Sequence, residues 1–143
     1  MTTLYLEIDA RTTTEARRLM ARGLGDGTSL QATDFSVGRG GFEPFDYLSA
    51  IPVNPDASDL DDSVLTKAIT HFEFPNSEAA CYYCLLESAD ANVTLGEIGI
   101  WGTVQNSPGD PVSGSAILMA IGHFPLIAKN SDMQYVLRVT MVA

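Results

Sequence analysis

The sequence predicts an α+β domain dominated by a mostly antiparallel β-sheet, open or curled into a sandwich, with one short amphipathic helix near the N-terminus. Three observations predict it. Apolar and polar residues alternate at both ends of the chain, over Thr3 to Asp9 and over Met133 to Val142. Helical spacing occurs once, directly after Thr12-Thr13-Thr14-Glu15. The stretch from Leu95 to Lys129 reads LGEIGIWG, a Gly/Pro/Ser/Asp-rich interruption, then AILMAIGHFPLIAK, which is the pattern of a hairpin with a long loop.

In the first strand Leu4, Leu6 and Ile8 share one face, and Tyr5, Glu7 and Asp9 the other. Thr12-Thr13-Thr14-Glu15 is a capping-box pattern, in which a threonine oxygen takes a free amide and the glutamate reaches back. Ala16, Leu19 and Met20 then repeat at helical spacing, with Arg17, Arg18 and Arg22 on a solvated face. Gly23 and Gly25 are expected to stop this helix after about three turns. Ser29 to Val37 reads as a strand whose apolar phase changes between Leu30/Ala32 and Phe35/Val37, so a bulge is expected near Thr33-Asp34. From Phe42 to Ser63 the chain reads as loop, broken by Pro44, Pro52 and Pro55 and loaded with Asp56, Asp59, Asp61 and Asp62.

Thr66 to Phe74 reads as one strand, turned by Pro75-Asn76-Ser77 into a second over Ala79 to Leu86. Glu87 to Asn92 is a polar turn. In the following hairpin Ile98 and Ile100 share a face opposite Glu97, Gly99 and Trp101, and Ala116 to Ile121 suits a strand buried on both sides. Gln105 to Pro111 is the turn between them. The second strand is expected to end at Phe124-Pro125, where proline removes a ladder donor. The last strand places Met133, Tyr135, Leu137, Val139 and Met141 on one face, and Val136 and Val142 imply partial cover of the other. The arrangement is an N-terminal strand and helix followed by five or six strands, as one domain over residues 1–143.

Composition excludes several classes. Hydrophobic residues at 45% and charged residues at 18% are globular proportions rather than those of a disordered chain. Eight basic residues against eighteen acidic ones leave a net charge of −10, with no cationic footprint for nucleic acid or an anionic membrane. No apolar run approaches the ~18 residues of a membrane span, and the N-terminus lacks the basic and apolar regions of a secretory signal. Synthesis and assembly in a cytoplasm are expected.

The residues that carry chemistry are few. Cys81 and Cys84 form C-Y-Y-C, but no zinc spacing joins them to His71 or His123, and they sit in a strand rather than at a helix N-terminus. Buried, unreactive thiols are expected. Gly38-Arg39-Gly40-Gly41 lacks the following helix of a phosphate loop, because the acidic, proline-broken Phe42 to Asp46 follows. Its glycines are read as conformational. The acidic residues from Asp56 to Asp62 lack the alternate positions and closing glutamate of an EF-hand. No G-x-S-x-G or H-E-x-x-H is present, and His71 and His123 read as surface or structural residues. No catalytic, cofactor-binding or metal-binding residue is expected.

The segments GEIGIWG and LMAIGHFPLIAK, with the alternating strand that follows, resemble the N-terminal domain of phage tail fibre (tail-collar fibre) proteins. In that family a strand ending in Glu-hydrophobic-Gly-hydrophobic-aromatic meets a hairpin partner ending in Gly-polar-Phe-Pro. Glu97, Gly99, Ile100, Trp101, Gly122, Phe124, Pro125 and Lys129 are the matching positions. Upstream, Asp34 to Gly41 resembles the family's hydrophobic-Ala-Val-Gly-acidic-Gly-Gly element, through Gly38, Gly40 and Gly41. The resemblance implies a structural, non-enzymatic role in a virion tail, with baseplate and fibre subunits as partners, a homotrimeric state, and Glu97 as a hydrogen-bonding or interface residue.

Two departures refine the expectation. Ala143 follows the last strand with no fibre shaft, which points to an adaptor, baseplate or collar subunit that recruits a fibre non-covalently. The middle section with its C-x-x-C is longer than the family segment. Two other readings remain: a carbohydrate-binding β module using Trp101, Tyr82 and Tyr83, and a metal-dependent enzyme using Glu97 or the acidic loop.

Overall fold

The computed structural model describes residues 2–43, 46–107, 110–112, 114 and 116–142. Pro44, Phe45, Pro108 and Gly109, read above as loop residues, lie outside them. In chain order the elements are β1 (Thr2–Thr12), α1 (Thr14–Asp26), β2 (Ser29–Gly38), β3 (Phe42–Glu43), β4 (Asp46–Ala50), β5 (Ser63–Ala68) and β6 (His71–Asn76). There follow β7 (Ala79–Leu86), β8 (Thr94–Ser107), β9 (Asp110–Pro111), β10 (Ile117–Ala128) and β11 (Met133–Val142). One large mixed sheet has the order β5-β2-β8-β10-β1-β11-β7-β6, with β9 against the end of β8; β3 and β4 form a separate ribbon.

The alternation that predicted β1 is realised in its burial. Ile8, Ala10 and Thr12 face inward and Glu7, Asp9 and Arg11 outward. Its pairing is the one parallel ladder among the described strands. It runs beside β11 from Thr2↔Met133 to Ala10↔Met141, and meets β10 antiparallel only at Arg11 and Thr12. Successive strands β10 and β11 therefore flank β1 instead of each other.

The sheet curls. β5 and β6 lie at opposite ends of the strand order, yet only Ile69 and Thr70 separate them in sequence, a span of about 11 Å at full extension. No ladder joins the two edges, so the sheet is not a closed barrel. The single strand of the sequence reading, Thr66 to Phe74, is thus two strands with different partners, β5 on β2 and β6 on β7. The bulge at Thr33 is part of the cause. The register of β2 on β8 shifts between Ala32 and Asp34, and the Thr33 carbonyl accepts the Ile69 amide at 3.0 Å where the chain leaves β5.

The concave face holds the main core. Ile8, Phe35, Val37, Leu86, Leu95, Ile98, Ile100, Leu137 and Val139 are its buried centre, each contributing about 1.5–3 kcal/mol on burial. A smaller cluster on the opposite face of β8 and β10 joins Leu118 and Ile121 to Leu60, with Val53, Ala57 and Trp101 packed against it. Segment 51–62 is therefore not a free acidic loop. It covers that face, which is why Leu118 to Ile121 is buried on both sides. The preceding stretch also departs from the expected loop, since β3 and β4 pair from Phe42↔Ala50.

Two further expectations are corrected. Pro125 does not end β10, because a register shift between His123 and Ile127 absorbs the missing donor and the strand continues to Ala128. The helix passes through Gly23 and Gly25 and stops at Gly27, whose φ of 76° lets its N–H donate a hydrogen bond to the Gly23 carbonyl.

At the helix start the capping box is not formed. Thr13 is the cap and accepts the Ala16 amide at 3.1 Å, while Glu15 turns outward to Arg18. Thr13 also donates to the Leu118 carbonyl at 2.7 Å, and its own amide reaches the Met119 carbonyl at 2.9 Å. One residue thus caps the helix and seats it on the β10 irregularity between Leu118 and Ala120. Thr13→Ala is expected to lower stability by about 1–2 kcal/mol, read as a shift in urea midpoint at unchanged slope. A shift equivalent to under ~0.3 kcal/mol would show that the helix is held by packing alone.

Candidate functional site

Strand alternation puts Glu97 on the face of β8 opposite Ile98 and Ile100. Register then decides its neighbours. Gly38 of β2 lies opposite Glu97 on one side and His123 of β10 on the other, so the three form a row across the sheet. Glu97 is 0% exposed. An isolated buried carboxylate is costly, so the question is what compensates it.

Three backbone amides do. Gly40 N–H donates to Oε2 at 2.6 Å, Asp62 N–H to Oε2 at 3.0 Å and Asp61 N–H to Oε1 at 2.8 Å. Asp61 and Asp62 are exposed residues whose amides point inward. Two backbone bonds close the same joint: the Arg39 amide to the Asp62 carbonyl at 2.9 Å, and the Ile51 amide to the Gly41 carbonyl at 3.0 Å. Glu97 is therefore a clasp between β8, the glycine segment after β2, and the covering segment 51–62.

The glycines follow from this packing. A Cβ on Gly38 would lie 2.7 Å from Glu97 Oε2, and one on Gly40 2.4 Å from it, so both positions must lack a side chain for the carboxylate to fit. Only Gly41 among the three has the positive φ expected for all, at 88°. The conformational reading of this loop is correct at Gly41, and close approach accounts for the other two.

The remaining residues of the resemblance distribute around the clasp. Trp101 and Gly99 continue the same face of β8; Trp101 donates its indole N–H to Ser36 Oγ at 2.8 Å, and Gly99 leaves room for Leu118. Gly122 and Phe124 are buried on β10, with Gly122 giving space to Ile8 and Phe124 in the main core. Pro125 is exposed. Lys129 stands apart, 3% exposed, donating to Asn92 Oδ1 at 2.8 Å and to the Ser88 carbonyl at 3.4 Å. Burial pushes its ammonium pKa below the usual lysine range, and Asp90 opposes the shift. It ties the turn before β8.

His123 and the Asp61 and Asp62 amides are the residues that sequence reasoning did not join to Glu97. His123 Nδ1 lies 2.8 Å from the Ile51 carbonyl, which can only accept, so Nδ1 carries the proton. Ligand atoms of Asp61, Glu97 and His123 lie within 4.8 Å of one another. No sequence spacing announces this trio, because each member comes from a different segment.

The arrangement does not supply an exposed reactive carboxylate, since solvent does not reach Glu97. The other candidates are equally enclosed or dispersed. Cys81 and Cys84 are buried free thiols, and burial, then the neighbouring Cys81, pushes the Cys84 thiol up. Tyr82 packs on the main core, whereas Tyr83, next along the strand, stands on the other face with Arg138 5.3 Å from its ring centre. Trp101, Tyr82 and Tyr83 do not share one platform.

Among the described residues no helix is long and apolar enough to cross a membrane. No protein-family model, curated protein or solved structure matches the chain.

Proposed function

We propose that this chain is a structural, non-enzymatic component of a phage tail, attaching or recruiting tail fibres at the baseplate or collar as a homotrimer. The observation that carries the reading is the clasp. Gly38, Gly40 and Gly41 belong to one element of the tail-fibre resemblance and Glu97 to another, and the two elements meet through a hydrogen bond spanning 57 residues of sequence. The resemblance therefore concerns residues that depend on one another physically, and their chemistry is that of a folding joint.

A surface for assembly supports the same reading. β6 is an edge strand, exposed along its whole length. Phe72 and Phe74 are 55% and 71% exposed, with ring centres 5.6 Å apart. Beside them Phe74, Met20, Leu30, Tyr82, Met119 and Met141 line an apolar groove of about 220 Å³. Glu73 and Pro75 limit open-ended pairing along this edge, so what β6 offers for association is its pair of exposed aromatic rings. A second copy of the chain is the occupant we assign to it, since closed rings are the common route to a symmetric platform.

Light scattering should give about 46 kDa, three times the 15.3 kDa chain. Phe72→Ser with Phe74→Ser should give a folded monomer, because neither ring is buried in the core, with a melting midpoint that no longer depends on protein concentration. A monomeric parent protein would sink the autonomous trimer. Tail particles from a host carrying the gene should contain the chain in multiples of three copies by quantitative mass spectrometry. Particles lacking it would overturn the virion assignment.

A further inference from the structure

We infer that Asp61, Glu97 and His123 form a binding site for one divalent transition metal ion, with zinc the best fit. The inference does not depend on the tail reading. The donor set is one imidazole and two carboxylates, a combination zinc accepts readily. The ligand atoms already lie within 4.8 Å of one another. Around a tetrahedral zinc they would stand about 3.4 Å apart, given ~2.1 Å bonds. The closing movement is at most about 1.4 Å for any pair, and Asp61 is the exposed member of the three.

A second, independent observation points to a ligand. His123 Nε2 is buried and has no hydrogen-bond partner among the described residues. Nδ1 is engaged by the Ile51 carbonyl, so Nε2 is the ring nitrogen left to act as a ligand. A buried polar atom without a partner is costly, and a metal ion satisfies a bare imidazole nitrogen directly.

The outer interactions are also those of a metal site. Metal-bound histidines usually donate their other N–H to a carbonyl or carboxylate, and ligating carboxylates are themselves hydrogen-bonded. The Ile51 carbonyl does the first here, and the Gly40, Asp61 and Asp62 amides do the second. Three amide bonds leave one of the roughly four acceptor positions of the Glu97 carboxylate for a cation. Gly41 keeps the space beside the ring clear, since a Cβ there would lie 2.8 Å from His123 Cδ2. A net charge of −10 favours cation uptake from any direction. The site joins β8, β10 and the covering segment, so bound zinc would reinforce the clasp.

The test uses the full chain stripped with a chelator and titrated calorimetrically with zinc chloride. One site per chain is expected, with a raised melting midpoint and visible absorption bands when cobalt(II) replaces zinc. His123→Gln and Asp61→Asn should each weaken binding at least tenfold; Asp61→Asn is the folding-safe variant, because its side chain is exposed and its amide stays in place. Cys81→Ser with Cys84→Ser should leave affinity unchanged. Absence of stoichiometric binding by the folded parent chain would overturn the inference. So would unaltered affinity in both Asp61→Asn and His123→Gln, or loss of binding in the cysteine variant.

Discussion

Glu97→Gln is expected to destabilise the protein by about 3 kcal/mol. The glutamine carbonyl can replace Oε2, which takes the Gly40 and Asp62 amides. Its NH2 group must then face the Asp61 amide, which now donates to Oε1 at 2.8 Å. Two donors would meet in a buried site, at about 1–3 kcal/mol. The two surviving bonds would lose the charge that makes such bonds roughly twice as strong as neutral ones. Urea unfolding followed by tryptophan emission is a suitable readout, because Trp101 lies on the same face of β8 beneath segment 51–62. A loss under ~1 kcal/mol would mean that packing of Leu60, not the carboxylate, holds that segment. Limited proteolysis separates the two, since loss of the clasp should expose the chain between Ile51 and Asp62 before the sheet unfolds.

Gly41→Ala is expected to cost about 3 kcal/mol or more, although it adds a single methyl group. Its φ of 88° lies where an L side chain is strained, which alone is of order 1–2 kcal/mol. Its Cβ would also lie 2.5 Å from the Gly96 carbonyl oxygen, a backbone atom held inside the sheet. The obstacle is not a flexible side-chain tip, so relief requires moving β8 or the Ile51–Gly41 bond. Gly25→Ala is the matched control, because a Cβ there meets nothing within 4 Å. It should be neutral or slightly stabilising, as the residue lies within α1. Equal effects from the two substitutions would refute the steric argument.

Elements with a strong local period were legible in the sequence. Alternation marked β1 and β11, the capping threonines and Ala16 marked α1, and a change of apolar phase marked the bulge at Thr33 before any partner was known. The Ala79–Leu86 strand and the β8–β10 hairpin followed from the same kind of signal. Errors arose where a local rule competed with a distant partner. Pro125 would end a regular ladder, but a bulge makes it tolerable. Gly23 would weaken an isolated helix, but here a Cβ would lie 2.3 Å from the Thr28 carbonyl oxygen, so the returning chain requires glycine.

The candidate site shows the same division. Sequence singled out Glu97 and the glycines at 38, 40 and 41 as positions of the tail-fibre resemblance, and the glycines also as a run that follows a strand. Side-chain alternation alone decided which face of β8 would carry Glu97. Only the tertiary structure decided what meets it there: His123 through the register of β10, and the amides of Asp61 and Asp62 through the path of a segment with no periodicity. It also decided that β1 inserts between β10 and β11, and that the edges β5 and β6 curl toward each other. Period and turn chemistry are properties of neighbouring residues, so they can be read along the chain. Register, strand order and the partner of a buried charge depend on contacts between distant segments, and are settled only when the whole core packs.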